Sequence, residues 1–150
     1  MFRFIVMAVL LAGCNSVYVK PNTLDTDAVI YASRGGYSMK RSIKQEMEKR
    51  GYNVVVGRAK SSRDYDGDTD IDMSASVIPN NAKYIVKVAE HKETFRPIWC
   101  ALNGFWWWNF NVSIAEQDSG KEILSWRGRG CQNSSLRKLD TILDKMEKAK

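Results

Sequence analysis

Three kinds of side chain in this 150-residue chain could do chemistry: thiols, one imidazole and a series of carboxylates. The thiols are Cys14, Cys100 and Cys131, the imidazole is His91, and Asp64, Asp66, Asp68, Asp70 and Asp72 alternate through a polar stretch. Alternating carboxylate oxygens suit a hard cation such as Ca²⁺. An EF-hand loop opened at Asp64 needs glycine where Thr69 stands and a bidentate glutamate where Ala75 stands, so both the turn and the closing ligand are missing. We read a solvated acidic loop, with a calcium site as the alternative, and expect no metal. His91 falls inside an expected strand, and no serine or cysteine carries a nucleophile-elbow or cysteine-protease signature. A surface histidine is expected there and no catalytic residue anywhere. Gly35-Gly36 lacks the spacing and the lysine of a phosphate-binding loop, so no cofactor is expected.

Cys14 stands in a setting of its own. Met1-Phe2-Arg3 is followed by an apolar run over residues 4–11 and then by Leu11-Ala12-Gly13-Cys14. A short positive region, a hydrophobic segment and a small-residue cleavage site make the layout of a secretory signal. The run is far shorter than the roughly 20 residues a helix needs to cross a bilayer, which argues against a permanent span. Leu11-Ala12-Gly13-Cys14 resembles the lipobox of bacterial lipoproteins. That resemblance implies cleavage between Gly13 and Cys14, a diacylglyceryl group on the Cys14 thiol, and three acyl chains, palmitate among them, holding the protein to a membrane on its periplasmic side. Two or more chains anchor stably where one does not. By resemblance to enterobacterial sorting, Asn15 in place of aspartate after the lipidated cysteine implies the outer rather than the inner membrane.

The expected organisation is a signal peptide over residues 1–13, a lipidated N-terminus and polar tether over residues 14–26, and one periplasmic domain over residues 27–150. With 44% hydrophobic and 27% charged residues the chain can bury a core of its own. The formal charge of +6 favours anionic partners, which in an envelope compartment are lipid head groups or cell-wall polymers rather than nucleic acid. Lys and Arg alternate with Glu and Asp along both expected helices, so an ordinary solvated surface also accounts for it.

Residues 28–32 form a continuous apolar run of strand length, ended by Gly35-Gly36. Ser38 can cap a helix whose Met39, Ile43 and Met47 recur every four residues and which Gly51 stops; a valine strand follows over residues 52–56. Residues 58–81 read as a long polar loop. Residues 83–95 and 104–117 then show period two, with Tyr84, Val86 and Val88 on one face of the first, and Trp106, Trp108, Phe110, Val112 and Ile114 on one face of the second. Asp118-Ser119-Gly120 makes a three-residue hairpin loop to a strand over residues 122–130, with Gln117 facing Lys121, Ile114 facing Leu124, Val112 facing Trp126 and Phe110 facing Gly128. Ser134 or Ser135 caps a last helix striped by Leu136, Leu139, Ile142, Leu143 and Met146. The expected fold is α+β: a mixed, mainly antiparallel sheet of about five strands with two helices on one face.

That topology brings Cys100 and Cys131 together. The loop over residues 97–103 and the end of the last strand lie at one end of the sheet, the hairpin at the other. An even pair of thiols in an oxidising compartment is expected to be joined, so we expect a Cys100–Cys131 disulfide. Strand alternation sends Trp108, Phe110 and Trp126 into the core with Trp106, and sends Phe105 and Trp107 to the opposite face beside Arg127 and Arg129. With Trp99 these make a candidate partner-binding patch, unless the loop folds over them.

Gly51-Tyr52 before a valine strand, Ala82-Lys83-Tyr84-Ile85-Val86, and Gly120-Lys121-Glu122-Ile123-Leu124-Ser125-Trp126-Arg127-Gly128 together resemble small envelope lipoproteins. Their domain is similar to the N-terminal domain of TolB and the periplasmic domain of CsgG. The resemblance implies a non-enzymatic envelope role and names no partner. From the aromatic patch we expect a lipoprotein that binds or scaffolds an envelope protein, as an accessory of an export or assembly machine. The alternative is a module that binds an anionic lipid or glycan through aromatics and arginines.

Overall fold

A computed structural model describes residues 15–32, 38–57, 77–91 and 97–147. Gly13, Cys14, the Gly35-Gly36 pair and the aspartate series lie outside the described residues, as does the His91 side chain. The elements run β1 (Ser16–Val19), β2 (Val29–Ala32), α1 (Ser38–Lys49), β3 (Asn53–Val55), β4 (Tyr84–His91), β5 (Trp107–Glu116), β6 (Glu122–Cys131) and α2 (Gln132–Met146). The sheet order is β1-β6-β5-β4-β2-β3. β2 lies parallel to β3 and β4, and every other pairing is antiparallel. The fold is α+β, with α1 and α2 packed on one face of a mixed sheet.

The period-four residues of α1, Met39, Ile43 and Met47, are all buried, and they meet Leu139, Ile142, Leu143 and Met146 of α2 over Ile30, Tyr84, Phe110, Val112, Ile114 and Trp126. Phe110 and Trp126 meet edge to face with ring centroids 4.6 Å apart, an arrangement the ring quadrupoles favour. Gly51 has φ 85°, the Tyr52 N–H donates to the Met47 carbonyl, and the Gly51 N–H to the Glu48 carbonyl. This pair of hydrogen bonds around a left-handed residue ends the helix, and buried Tyr52 packs back on Met47's side of the core.

The β5–β6 pairs Ile114–Leu124, Val112–Trp126 and Phe110–Gly128 occur as the sequence predicts. The turn that precedes them differs. The Glu116 N–H donates to the Lys121 carbonyl and the Gly120 N–H to the Glu116 carbonyl, so the loop holds four residues and Gln117 does not face Lys121. Gly120 supplies the left-handed corner with φ 65°. The register shifted by this longer loop is restored at once, because Ala115 pairs with Glu122 and Ile114 with Leu124, leaving Ile123 as an extra residue. The bulge lets Ile123 and Leu124 both enter the core. Without it every side chain beyond would change face.

Two boundaries depart from expectation. Residues 15–26 do not form a free tether: Ser16, Val17, Tyr18 and Val19 pair with Arg127, Trp126, Ser125 and Leu124. The sheet therefore gains a sixth strand at its edge. Beyond it Leu24 is fully buried, and the Asn22, Thr23 and Leu24 N–H groups bond the Lys145 and Met146 carbonyls that end α2. Those carbonyls have no partner inside the helix, and the N-terminal segment supplies one. The Tyr84 hydroxyl fixes the same segment, donating to the Thr23 carbonyl at 2.9 Å and accepting from the Asp25 N–H at 3.1 Å. The second departure is the start of α2. Neither Ser134 nor Ser135 caps it; the helix begins at Gln132, and its cap residue is Cys131 in extended conformation.

Candidate functional site

Strand directions define two ends of the sheet. β4 and β6 run toward one end and β5 starts from it, so residues 97–106, which lead into β5, and the corner joining β6 to α2 lie together there. β1 runs opposite to β6, so the chain also enters the sheet from this end. The hairpin and the C-terminus of α2 lie at the far end.

A disulfide between Cys100 and Cys131 locks the near end, with Cα atoms 5.4 Å apart. Cys100 ends a short 3-10 turn, Ile98–Cys100, and its carbonyl accepts from both Asn103 and Phe105 N–H groups. The loop in turn begins α2. The Trp106 carbonyl accepts the Gln132 N–H at 2.9 Å and the Asn103 carbonyl accepts the Asn133 N–H at 3.2 Å, so loop carbonyls do the work expected of a serine cap. Gly104, with φ 94°, lets the chain pass against Gln132 and Asn133, where an added Cβ would come within 2.8 Å of both. Phe105 is left-handed as well, with φ 63°, a conformation that a bulky residue holds only under constraint.

These constraints hold apolar side chains out of the core. Ile98 is 89% exposed, Trp99 61%, Leu102 98%, Phe105 71% and Trp106 48%. Trp106 does not join the core as strand alternation predicts, because β5 begins only at Trp107 and the backbone at Gly104 and Phe105 breaks the alternation. For the same reason Phe105 is on the loop rather than on the sheet face. Trp108, Phe110 and Trp126 are buried as expected. Half-buried Trp107 opens the opposite face, along which Asn109 pairs with Arg129 and Asn111 with Arg127. Both arginines are exposed, and Arg137 reaches the loop by donating to Asn103 Oδ1 at 3.4 Å. The structure thus adds Ile98, Leu102 and Trp106 to the sequence-derived patch. The apolar stretch Ile98-Trp99-Cys100-Ala101-Leu102 is visible in the sequence, but which of its residues point outward depends on the disulfide.

Pro97, Ile98, Ala101, Phe105 and Trp106 line an open hollow of about 210 Å³. That is smaller than the roughly 300–1,000 Å³ of small-molecule sites. Among the described residues no group of three or more His, Cys, Asp or Glu side chains could hold a metal ion, and no helix is long and apolar enough to cross a membrane.

The far end carries a charged cluster with a structural role. Arg50, just beyond α1, donates to the Asp140 carbonyl at 3.2 Å, pairs with Asp144, and has Glu147 at 3.6 Å. Tyr52 donates its hydroxyl to Glu147. Burial, and then the Glu147 carboxylate, push the Tyr52 pKa well above the ordinary phenol value. Nearby, the Asp25 carboxylate at 2.9 Å raises the pKa of Lys83.

A six-stranded mixed sheet with both helices on one face and a parallel β2–β4 step is the class of fold that these elements define. A similar overall fold occurs in PelC from Paraburkholderia phytofirmans. One structure, of a PelC variant described as a dodecamer, matches with a TM-score of 0.51 and 12% identity over 92% of this chain and 99% of that one. A second PelC dodecamer matches with a TM-score of 0.48 and 13% identity over 91% and 100%. At this identity the likeness is one of fold. No protein-family model matches the chain, and no curated protein does.

Proposed function

We propose that this chain is a lipid-anchored envelope protein, held on the periplasmic side of the outer membrane by acylated Cys14, and that it works by binding and scaffolding rather than by catalysis. The observation that carries the reading is the apolar loop at the near end. A disulfide, two helix-capping carbonyls and a left-handed Phe105 keep Ile98, Trp99, Leu102, Phe105 and Trp106 in solvent. Strain of this kind persists where a surface is used. The open sheet face bearing Trp107, Arg127 and Arg129 offers a second surface, suited to an acidic or aromatic protein partner. A role as an accessory of an export or assembly machine fits two such surfaces on one small domain. The ligand-binding alternative is weaker, since the hollow is shallow and small for a glycan.

Labelling with a palmitate analogue tests the anchor: wild type should incorporate label and fractionate with outer-membrane markers, and Cys14→Ser should not. Cross-linking in intact cells tests the scaffold. A stoichiometric protein adduct supports it, and a protein recovered alone, without adducts, refutes it.

Self-association is a second reading. β1 lies at the sheet edge with Val17 and Tyr18 exposed, leaving a strand able to pair with another copy. The PelC structures of similar fold are dodecamers. Native mass spectrometry in detergent separates a monomer from a ring.

A further inference from the structure

We infer that the near end of the sheet seats on the bilayer itself, with Ile98, Trp99, Leu102, Phe105 and Trp106 in the lipid interface and the neighbouring arginines on anionic head groups. This rests on the reading of Cys14 as the acylated residue, and it gives the apolar loop a lipid occupant, so that a protein partner is left to the open sheet face around Trp107.

Chain direction carries the argument. Ser16 pairs with Arg127, and Asn15 comes next to Gly128, where an added Cβ would sit 1.9 Å from Asn15 Oδ1. Gly128 is three residues before disulfide-bonded Cys131 on the same strand, which is about 10 Å at strand rise. At Asn15 the described chain therefore stands at the end of the sheet that carries the apolar loop, and an acylated residue directly before it would be held close to that end. Had β1 run the other way, an acylated Cys14 would have emerged beside the hairpin, and the loop would have pointed away from the membrane. As it is, lipid chains and apolar side chains share one end.

Composition agrees with direction. Two tryptophans and a phenylalanine beside isoleucine and leucine make the amphipathic mixture that settles at the head-group boundary. Charge is divided along the same axis. The near end has exposed Arg127, Arg129 and Arg137, and Lys40 and Arg41 in the first turn of α1. Among the described residues there, Glu90 is the acid, and its carboxylate accepts the Lys40 N–H. Glu116, Asp118, Glu122, Asp144 and Glu147 lie toward the far end, at the hairpin and the end of α2, interspersed with Lys20, Arg50, Lys83, Lys121 and Lys145, so the near end differs in having few acids to offset its bases. A domain tethered by lipid and polarised in this way is attracted to an anionic surface basic end first.

The test uses the full chain, expressed with its own N-terminus, extracted in detergent and reconstituted into vesicles one-third phosphatidylglycerol. Intact mass of the same sample reports acylation; an unmodified Cys14 overturns the inference by removing the anchor reading beneath it. In acylated protein, phosphatidylcholine brominated on its acyl chains should quench a large share of the tryptophan emission. Trp99→Tyr with Trp106→Tyr should remove at least half of that quenching, while Trp108 and Trp126 stay shielded in the core. Equal emission in brominated and plain vesicles, with acylation intact, overturns the inference while leaving the anchor in place. Quenching as strong in purely zwitterionic vesicles overturns the part assigned to the arginines.

Discussion

Arg50 and Asp144, 94 positions apart in sequence, form an ion pair that joins the end of α1 to the last turn of α2. Arg50 also reaches the Asp140 carbonyl, so it supplies a cation where the helix dipole of α2 is negative. The arginine is mostly enclosed while Asp144 is open to solvent, which limits the energy of the pair. Arg50→Met should lower stability by about 1 kcal/mol, read as a lower urea midpoint at unchanged slope. No change would mean that solvent replaces the arginine without loss.

Tyr52 predicts an alkaline weakness. Its folded pKa lies above the ordinary 10.0, so the unfolded chain releases this proton first as pH rises. The stability that the group contributes is therefore complete below about pH 10 and is lost progressively above it. Tyr52→Phe should flatten the fall in melting temperature on the alkaline side of pH 10. An equal fall in both proteins would mean that other groups govern it.

Reduction of the Cys100–Cys131 bond opens a loop of sequence separation 31. Loop entropy puts the bond at about 4 kcal/mol, and Cys100→Ser with Cys131→Ser should show a loss of that order in denaturant melts. The first consequence should be local. Backbone amides over residues 97–106 and the first turn of α2 should exchange faster with solvent before the sheet does.

Leu24 distinguishes a structured N-terminal segment from a tether. In a tether Leu24→Ala would be silent. Fully buried against the core and α2, it should instead destabilise by about 2–5 kcal/mol.

Phe105→Gly makes the opposite prediction for a large aromatic. Relief of a left-handed φ of 63° offsets the entropy that glycine adds to the unfolded chain, each being of order 1 kcal/mol. The melting temperature should stay level or rise. A fall of several degrees would show that the ring packs on its own protein rather than waiting for a surface.

The core was readable from periodicity because burial enforces it. Met39, Ile43 and Met47 at helical spacing, and Trp108, Phe110, Val112 and Ile114 at strand spacing, are all inside. The disulfide was readable too, since two hairpin-related strands must return to one end. Trp106 escapes the pattern because alternation holds only within a strand, and positive φ at Gly104 and Phe105 breaks it before β5 begins. β1 is illegible in the sequence for another reason. Ser16-Val17-Tyr18-Val19 is short, and a four-residue edge strand draws its stability from the partner rather than from its own pattern. The start of α2 was hidden because its cap comes from loop carbonyls, which leave no trace in side-chain identity.

On the proposed lipid anchor, the early start of β1 sets how far the domain can travel. A free segment over residues 15–26 would let it wander about 20 Å from its lipid, sweeping a volume of periplasm. With Ser16 already hydrogen-bonded into the sheet, an acylated Cys14 would leave a leash one residue long. The domain would then diffuse as part of the leaflet, meeting partners by lateral search in two dimensions. Anything it binds would have to come to the membrane surface, or already be embedded there.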